Sequence, residues 1–238
     1  MSEERDIKEF DTVADSYDDG LKYLLGPIGG DTEKYAEYKI QLTHNLIYKA
    51  DSIMDFGCGI GRSLEYFKEY FSKDNNVKLY GCDTSPESVE IASKKMPDAT
   101  FYVNTSVDEF NKIEDKYDLI FLACVFHHID PVDRKEWAEA IKDKLNQGGY
   151  IAVFEHNLLN PLTKRVVKKP ENELDHEEWM LSHKELKNLL VNKDKGIEIF
   201  WDGYVLFSPI RFKWTTAFEK CLKWFPLGAQ HCVIVRKK

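Results

Sequence analysis

The stretch IMDFGCGIGR, Ile53 to Arg62, sets three glycines at every second position behind a short apolar run and ahead of a helical pattern. Glycine reaches left-handed backbone angles and leaves no side chain between the main chain and a neighbour. Strand, glycine turn and helix in that order open a βαβ unit, and such a turn lets backbone N–H groups come up to a ligand. The rest of the chain has to be compatible with a parallel sheet.

It is. SIMDF (Ser52 to Phe56) and VKLYGCD (Val77 to Asp83) read as strands, with a helix between them from Ser63 to Phe71. Pro86 opens a helix running to Lys95, a favourable first-turn position. ATFYV (Ala99 to Val103) is a third strand. YDLIFLACVF (Tyr117 to Phe126) is a nearly continuous apolar run, as a central strand buried on both faces requires. A helix follows over Asp133 to Leu145, and Asp130 before Pro131 reads as its cap. Gly148 and Gly149 mark the turn into YIAVFEH (Tyr150 to His156). The rhythm predicts an α/β fold with helices on both faces of a parallel sheet. After a helix at Ser182 to Asn192, strands at Ile197 to Phe207 and Gln230 to Arg236 are joined by a long connection, which suits an antiparallel closing hairpin.

The glycine loop constrains its ligand. A dinucleotide fingerprint, G-x-G-x-x-G, needs a third glycine where Arg62 stands. The pattern present is D-x-G-x-G-x-G, with Asp55 closing the strand, and an acid there favours a cationic ligand end over a pyrophosphate. Asp83 closes the second strand at the edge where open α/β sheets bind ligands, and its carboxylate suits a ribose diol. Together they point to a nucleoside with a cationic, amino-acid-like tail, such as S-adenosylmethionine.

With those residues the chain resembles the class I S-adenosylmethionine-dependent methyltransferases, from about Phe10 to the C-terminus. The resemblance implies a Rossmann-like, seven-stranded, mostly parallel sheet with an antiparallel last strand. It implies one domain over 1–238: a helical cap (1–49), a cofactor-binding core (50–156) and a substrate-side, sheet-closing half (157–238). Asp55, Gly57, Cys58, Gly59 and Gly61 stand at the family's glycine motif, which contacts the methionine moiety, and Asp83 with Thr84 at its ribose site. Thr105 and Ser106 occupy the adenine segment, where the family often has an acid followed by a small residue. Ala123 falls in the fourth-strand motif. FDTVADSYDD resembles the N-terminal helix that closes over the cofactor, with Tyr17 near the cofactor's carboxylate.

A sulfonium methyl carries its own driving force, so the acceptor side needs alignment and, for a hydroxyl, a base. VFHHID offers His127, at a place that faces the acceptor in related small-molecule enzymes, with packing as its other reading; His128 reads as structural. FEHNLLNP adds His156 as a second base and Glu155 and Asn157 as substrate-side residues, unless the loop satisfies its own backbone. Adjacent histidines on a strand end point apart, so no metal is expected. The aromatic segment Ser208 to Pro226, with Trp214 as its substrate-side residue, has four readings: packing helix, acceptor-pocket wall, homodimer surface or membrane-docking surface.

Composition narrows the partners. A net charge of −8 disfavours a nucleic-acid backbone, TKRVVKK (Thr163 to Lys169) being the one short basic stretch. The fourth strand lacks the proline motifs tied to base methylation. No apolar run suits a signal peptide or a membrane span, and the five cysteines lack zinc spacing, so a reduced, cytoplasmic protein is expected. A small-molecule acceptor follows, oxygen before nitrogen. The rival reading is a catalytically silent, cofactor-binding scaffold or partner subunit; a nicotinamide oxidoreductase is disfavoured by Arg62.

Overall fold

The computed structural model describes residues 32–72, 76–167, 179–206 and 222–238. Helix α1 (Thr32–Leu46) leads into β1 (Ser52–Phe56), α2 (Arg62–Phe71), β2 (Lys78–Asp83), α3 (Pro86–Lys95), β3 (Thr100–Val103), α4 (Val107–Asn111) and β4 (Tyr117–Ala123). A one-turn 3-10 helix (Phe126–His128), α5 (Arg134–Asp143), β5 (Leu145–His156), α6 (Pro161–Val167), α7 (His183–Leu190), β6 (Ile197–Val205) and β7 (Gln230–Lys237) complete the order.

The seven strands form one sheet in the order β3-β2-β1-β4-β5-β7-β6. Strands β1 to β5 pair in parallel, and β7 runs antiparallel to both β5 and β6. The fold class and the closing antiparallel hairpin are as the sequence predicts. Central strands are apolar on both faces, and each face carries its own core. Phe110 of α4, Ile141 of α5 and Leu186 of α7 pack on one side, with Ile120 and Val153 of the sheet. Ile40 of α1 and Leu64 and Phe67 of α2 pack on the other, against Phe121 and Phe154.

Three local expectations are corrected. The fourth strand stops at Ala123, not Phe126, because Cys124 turns into the left-handed region (φ 62°) and residues 126–128 form the 3-10 turn. The run stays apolar because that turn is itself buried. Strand β5 begins at Leu145, so Gly148 and Gly149 lie within it, where its pairing with β4 shifts register. Asp130 does not cap α5: its carboxylate accepts from the Val132 N–H and closes a turn, while Asp133 takes the cap position.

Candidate active site at the carboxyl edge of the sheet

Two of the three loop glycines differ in why they must be glycine. Gly57 (φ 75°) donates to the Cys82 carbonyl at 2.8 Å, and a Cβ there would stand 2.6 Å from a Val125 methyl. Packing alone excludes a side chain. Gly59 (φ 48°) would place its Cβ with nothing within 4 Å, so the space over its backbone is open. Its N–H donates to Asp83 Oδ2 at 2.8 Å, and Asp83 Oδ1 accepts from the Ser85 N–H at 3.0 Å. The two neighbouring strand ends therefore hold each other, and Asp83 is fixed by the loop that precedes it. Ser85 caps α3 by accepting from the Ser88 N–H.

On the other side of β1 the edge is assembled from distant parts of the chain. Glu155, fully buried at the end of β5, accepts from the Val125 and Phe126 N–H groups through Oε1 and meets His127 Nδ1 at 2.6 Å through Oε2. Burial raises the Glu155 pKa, but His127, then His156 and His231, outweigh it and hold the carboxyl at about 2. The backbone beyond β4 is thus tied to a carboxylate instead of continuing the strand. Arg134, also buried, donates to the Phe126 and Ile129 carbonyls and braces the 3-10 turn from below. The His127 ring stands 4.0 Å from that of His128 and 5.2 Å from that of His156. His231, next to Glu155 in the β5–β7 pairing, is pushed down to about 4 by burial, against its bond to the Leu181 carbonyl and the Glu155 charge.

Cys124 sits between the two halves. Its Sγ receives Gln230 Nε2 at 3.0 Å and Lys39 Nζ, from α1, at 3.8 Å. Burial raises the thiol pKa, yet the Lys39 charge and His156 bring it down to about 7. Among the described residues Cys58, Cys82, Cys124 and Cys232 are free thiols, and no cluster of His, Cys, Asp and Glu is fit to hold a metal ion. The His127–His128 pair lies in a 3-10 turn, not on a strand end, and its two rings are close but tilted by 47°.

A methyltransferase-domain family matches residues 54–151, which is β1 through the middle of β5. A demethylmenaquinone methyltransferase from Thermotoga maritima is 26% identical over 163 residues, 68% of this chain and 66% of its own length, just under two thirds. The solved plantazolicin methyltransferase BpumL, with a pentazolic desmethylPZN analog and SAH, superposes with a TM-score of 0.66 at 20% identity over 98% of both chains. A SAM-dependent methyltransferase from Aquifex aeolicus gives 0.58 at 19% identity, over 96% of this chain and 98% of that one.

Over residues 54–151 the chain is similar to a methyltransferase domain, and it shares its fold with solved S-adenosylmethionine-dependent methyltransferases. The residues present fit S-adenosylmethionine as a cofactor. Asp55 is buried, and its Oδ2 has no hydrogen-bond partner. Burial, and then the Asp83 charge, push its pKa well above the usual carboxylate range, with Lys39 opposing. An orphaned carboxyl beside an open glycine backbone suits the ammonium of an amino-acid tail.

The fold places the other expected residues unevenly. Cys58 is buried behind the loop, its Sγ 3.6 Å from the Gly59 carbonyl, Gly61 precedes α2 at φ 82°, and Thr84 and Ala123 are half-buried at the same edge. Thr105 and Ser106 stand at the start of α4: Thr105 donates from N and Oγ1 to Glu109 Oε2, and Ser106 Oγ accepts from the Glu109 N–H. Glu155 and Asn157, read as substrate-side, are buried. Asn157 Nδ2 donates to the Pro226 and Gly228 carbonyls, so it pins the loop before β7. His127 is buried too, whereas His128 and His156 are half-buried. Tyr17 and Trp214 lie outside the described residues.

Sequence reasoning missed Lys39, Gln230 and Arg134. A lysine in TEKYAEYKIQ or an arginine in VDRKEW carries no local mark. Asn104 was also passed over. It is buried with an unpartnered Oδ1, immediately before the expected adenine residues.

Proposed function

We propose that this protein transfers the methyl group of S-adenosylmethionine to a hydroxyl of a small-molecule acceptor, with a histidine of the His127–His156 pair as base. The Glu155–His127 contact carries the reading. A carboxylate on Nδ1 fixes an imidazole's orientation and tautomer, leaving Nε2 as the nitrogen that takes a proton. An oxygen acceptor needs that service more than an amine does. His156 stands within ring contact of His127 and is the more exposed of the two.

When bound, the cofactor supplies an electrophilic methyl on a sulfonium. Asp83 takes the ribose hydroxyls, Asp55 the ammonium, and Lys39 is the cation placed for the carboxylate, a role first assigned to Tyr17. The open backbone at Gly59 admits the methionine tail. With these groups in place, the protein's task is alignment, worth up to about 7–11 kcal/mol in favourable cases, and a base adds roughly 10²–10⁴-fold. The acceptor does not follow from the fold, since the relatives are named for demethylmenaquinone and for plantazolicin.

The test is S-adenosylhomocysteine release across a panel of phenolic, sugar and carboxylic acceptors, with matched amines. His127→Ala and His156→Ala are compared with the parent on whichever acceptor turns over. A hydroxyl acceptor whose kcat falls at least about 100-fold in one variant supports the reading. Turnover of amines alone, or a kcat that neither variant lowers, refutes it. Tight cofactor binding with no turnover anywhere selects the scaffold.

A further inference from the structure

Beside the acceptor edge lies a surface that methyl transfer does not use. The loop after β5 and the start of α6 run alongside the segment before β7. Asn160 Nδ2 donates to the Leu227 carbonyl at 2.6 Å and Thr163 Oγ1 to the Ala229 carbonyl at 3.1 Å. These bonds, with those of Asn157, lock the two strips together. What they present outward is apolar: Trp224 is 72% exposed, Leu159 63% and Leu162 60%, with Phe225 and Leu227 also exposed. Trp224 and Phe225 stack edge to face with ring centroids 5.6 Å apart. Scattered exposed apolar residues are ordinary, but five on two strips bound to each other make a contiguous patch of the kind that marks an interaction site.

Its charge is as telling as its apolarity. Lys164, Arg165 and Lys223 are all exposed around it. In sequence, the stretches 157–169 and 211–225 hold eight Lys and Arg and one acid, Glu219, in a chain whose net charge is −8. A cationic rim around Trp, Phe and Leu suits an interface that is anionic at its surface and apolar just beneath. Tryptophan favours the headgroup level, leucines the acyl boundary, and lysines the anionic headgroups. Among the described residues no helix is long and apolar enough to cross a membrane, so any attachment through them is to the surface.

We infer that the Leu159–Leu162–Trp224–Phe225–Leu227 surface, with its rim of Lys164, Arg165 and Lys223, docks on an anionic lipid bilayer. The patch adjoins the carboxyl edge through Asn157 and the Gln230 end of β7. Docking there turns the acceptor side of the methyltransferase toward the interface, where an amphiphilic acceptor resides. The docking itself is independent of the methyl-transfer reading.

The experiment is co-sedimentation of the full chain with phosphatidylcholine vesicles, with and without about a quarter phosphatidylglycerol. Both are run at low salt and at about 1 M salt, where the screening length falls to roughly 3 Å. Trp224→Ser/Leu227→Ser and Lys164→Glu/Arg165→Glu are compared with the parent, and S-adenosylhomocysteine titration of each variant serves as the folding control. Binding to anionic vesicles at least about tenfold stronger than to neutral ones supports the inference, if either double variant weakens it about tenfold with the cofactor titration unchanged. No vesicle binding by the parent, or equal binding by the variants, overturns it. So does a concentration-dependent dimer in sedimentation velocity that the Trp224→Ser/Leu227→Ser variant abolishes, since the occupant is then a second copy. Loss of the cofactor titration in the parent, with vesicle binding intact, sinks the cofactor reading and leaves the docking standing.

Discussion

The two halves of the site are built in opposite ways. On the β1–β2 side, Asp55, the glycine loop, Asp83 and Ser85 come from two short stretches at neighbouring strand ends, and the loop and the acid bond directly to each other. On the β4–β5 side, the working groups come from α1, the 3-10 turn, β5 and β7. The contact of Lys39 with Cys124 spans 85 residues of sequence, and that of Gln230 with Cys124 spans 106. The first half is a backbone device with one accessible carboxylate. The second is a buried electrostatic knot whose stability depends on the whole sheet closing correctly. The first half should thus fail in binding and the second in folding and protonation.

Glu155→Ala should be the sharpest break. It strips the acceptor from two buried N–H groups and leaves His127 beside no carboxylate, so a loss of about 3–5 kcal/mol is expected in denaturant unfolding. If stability is unchanged, the acceptor half is not held by this residue. Asp83→Ala belongs to the other half. It should weaken S-adenosylhomocysteine by about 100-fold in calorimetry with a smaller loss of stability than Glu155→Ala, because water reaches the Gly59 and Ser85 N–H groups at that part-exposed edge.

The pH dependence of stability separates the halves again. His231 is depressed to about 4 from an ordinary 6.5, so the unfolded chain takes up its proton first. Its contribution is complete above pH 6.5 and lost as pH falls toward 4, by about 2–3 kcal/mol. His231→Gln should flatten that limb of the stability profile; an unaltered limb would assign it elsewhere. The smallest effect is chemical. Cys124 should alkylate with iodoacetamide along a curve centred near pH 7 and be shielded by S-adenosylhomocysteine. Cys58, Cys82 and Cys232, buried and with raised pKa values, should stay unreacted in peptide mapping. A Cys124 curve centred near the ordinary thiol value would show that Lys39 and His156 do not reach it.

How much was legible follows the same division. The sheet, its helices and the antiparallel closing hairpin are legible in the apolar runs, as is the placing of Asp55 and Asp83 near the ends of neighbouring strands. The fourth strand reads longer in the sequence than it is because a buried turn is as apolar as a buried strand; Glu155 reaching across from β5 distinguishes them. Glu155 and Asn157 read as substrate-side in the sequence because polar side chains after a strand are ordinarily exposed, yet both are buried. Here each satisfies backbone groups from a remote segment. Thr105 and Ser106 carry a helix-start pattern with Glu109 that could have been recognised in advance.

The sequence by itself determined the parallel sheet, the glycine turn and the acid that follows it, because those depend on periodicity and backbone freedom within a few residues. Tertiary structure decided which histidine is buried on a carboxylate, which lysine reaches the site, and that Trp224 and the leucines of the 159–162 strip share one surface. Those outcomes depend on strand order and register. A one-residue change in the β5–β7 pairing would reverse which side chains face the site, and no local pattern records that choice.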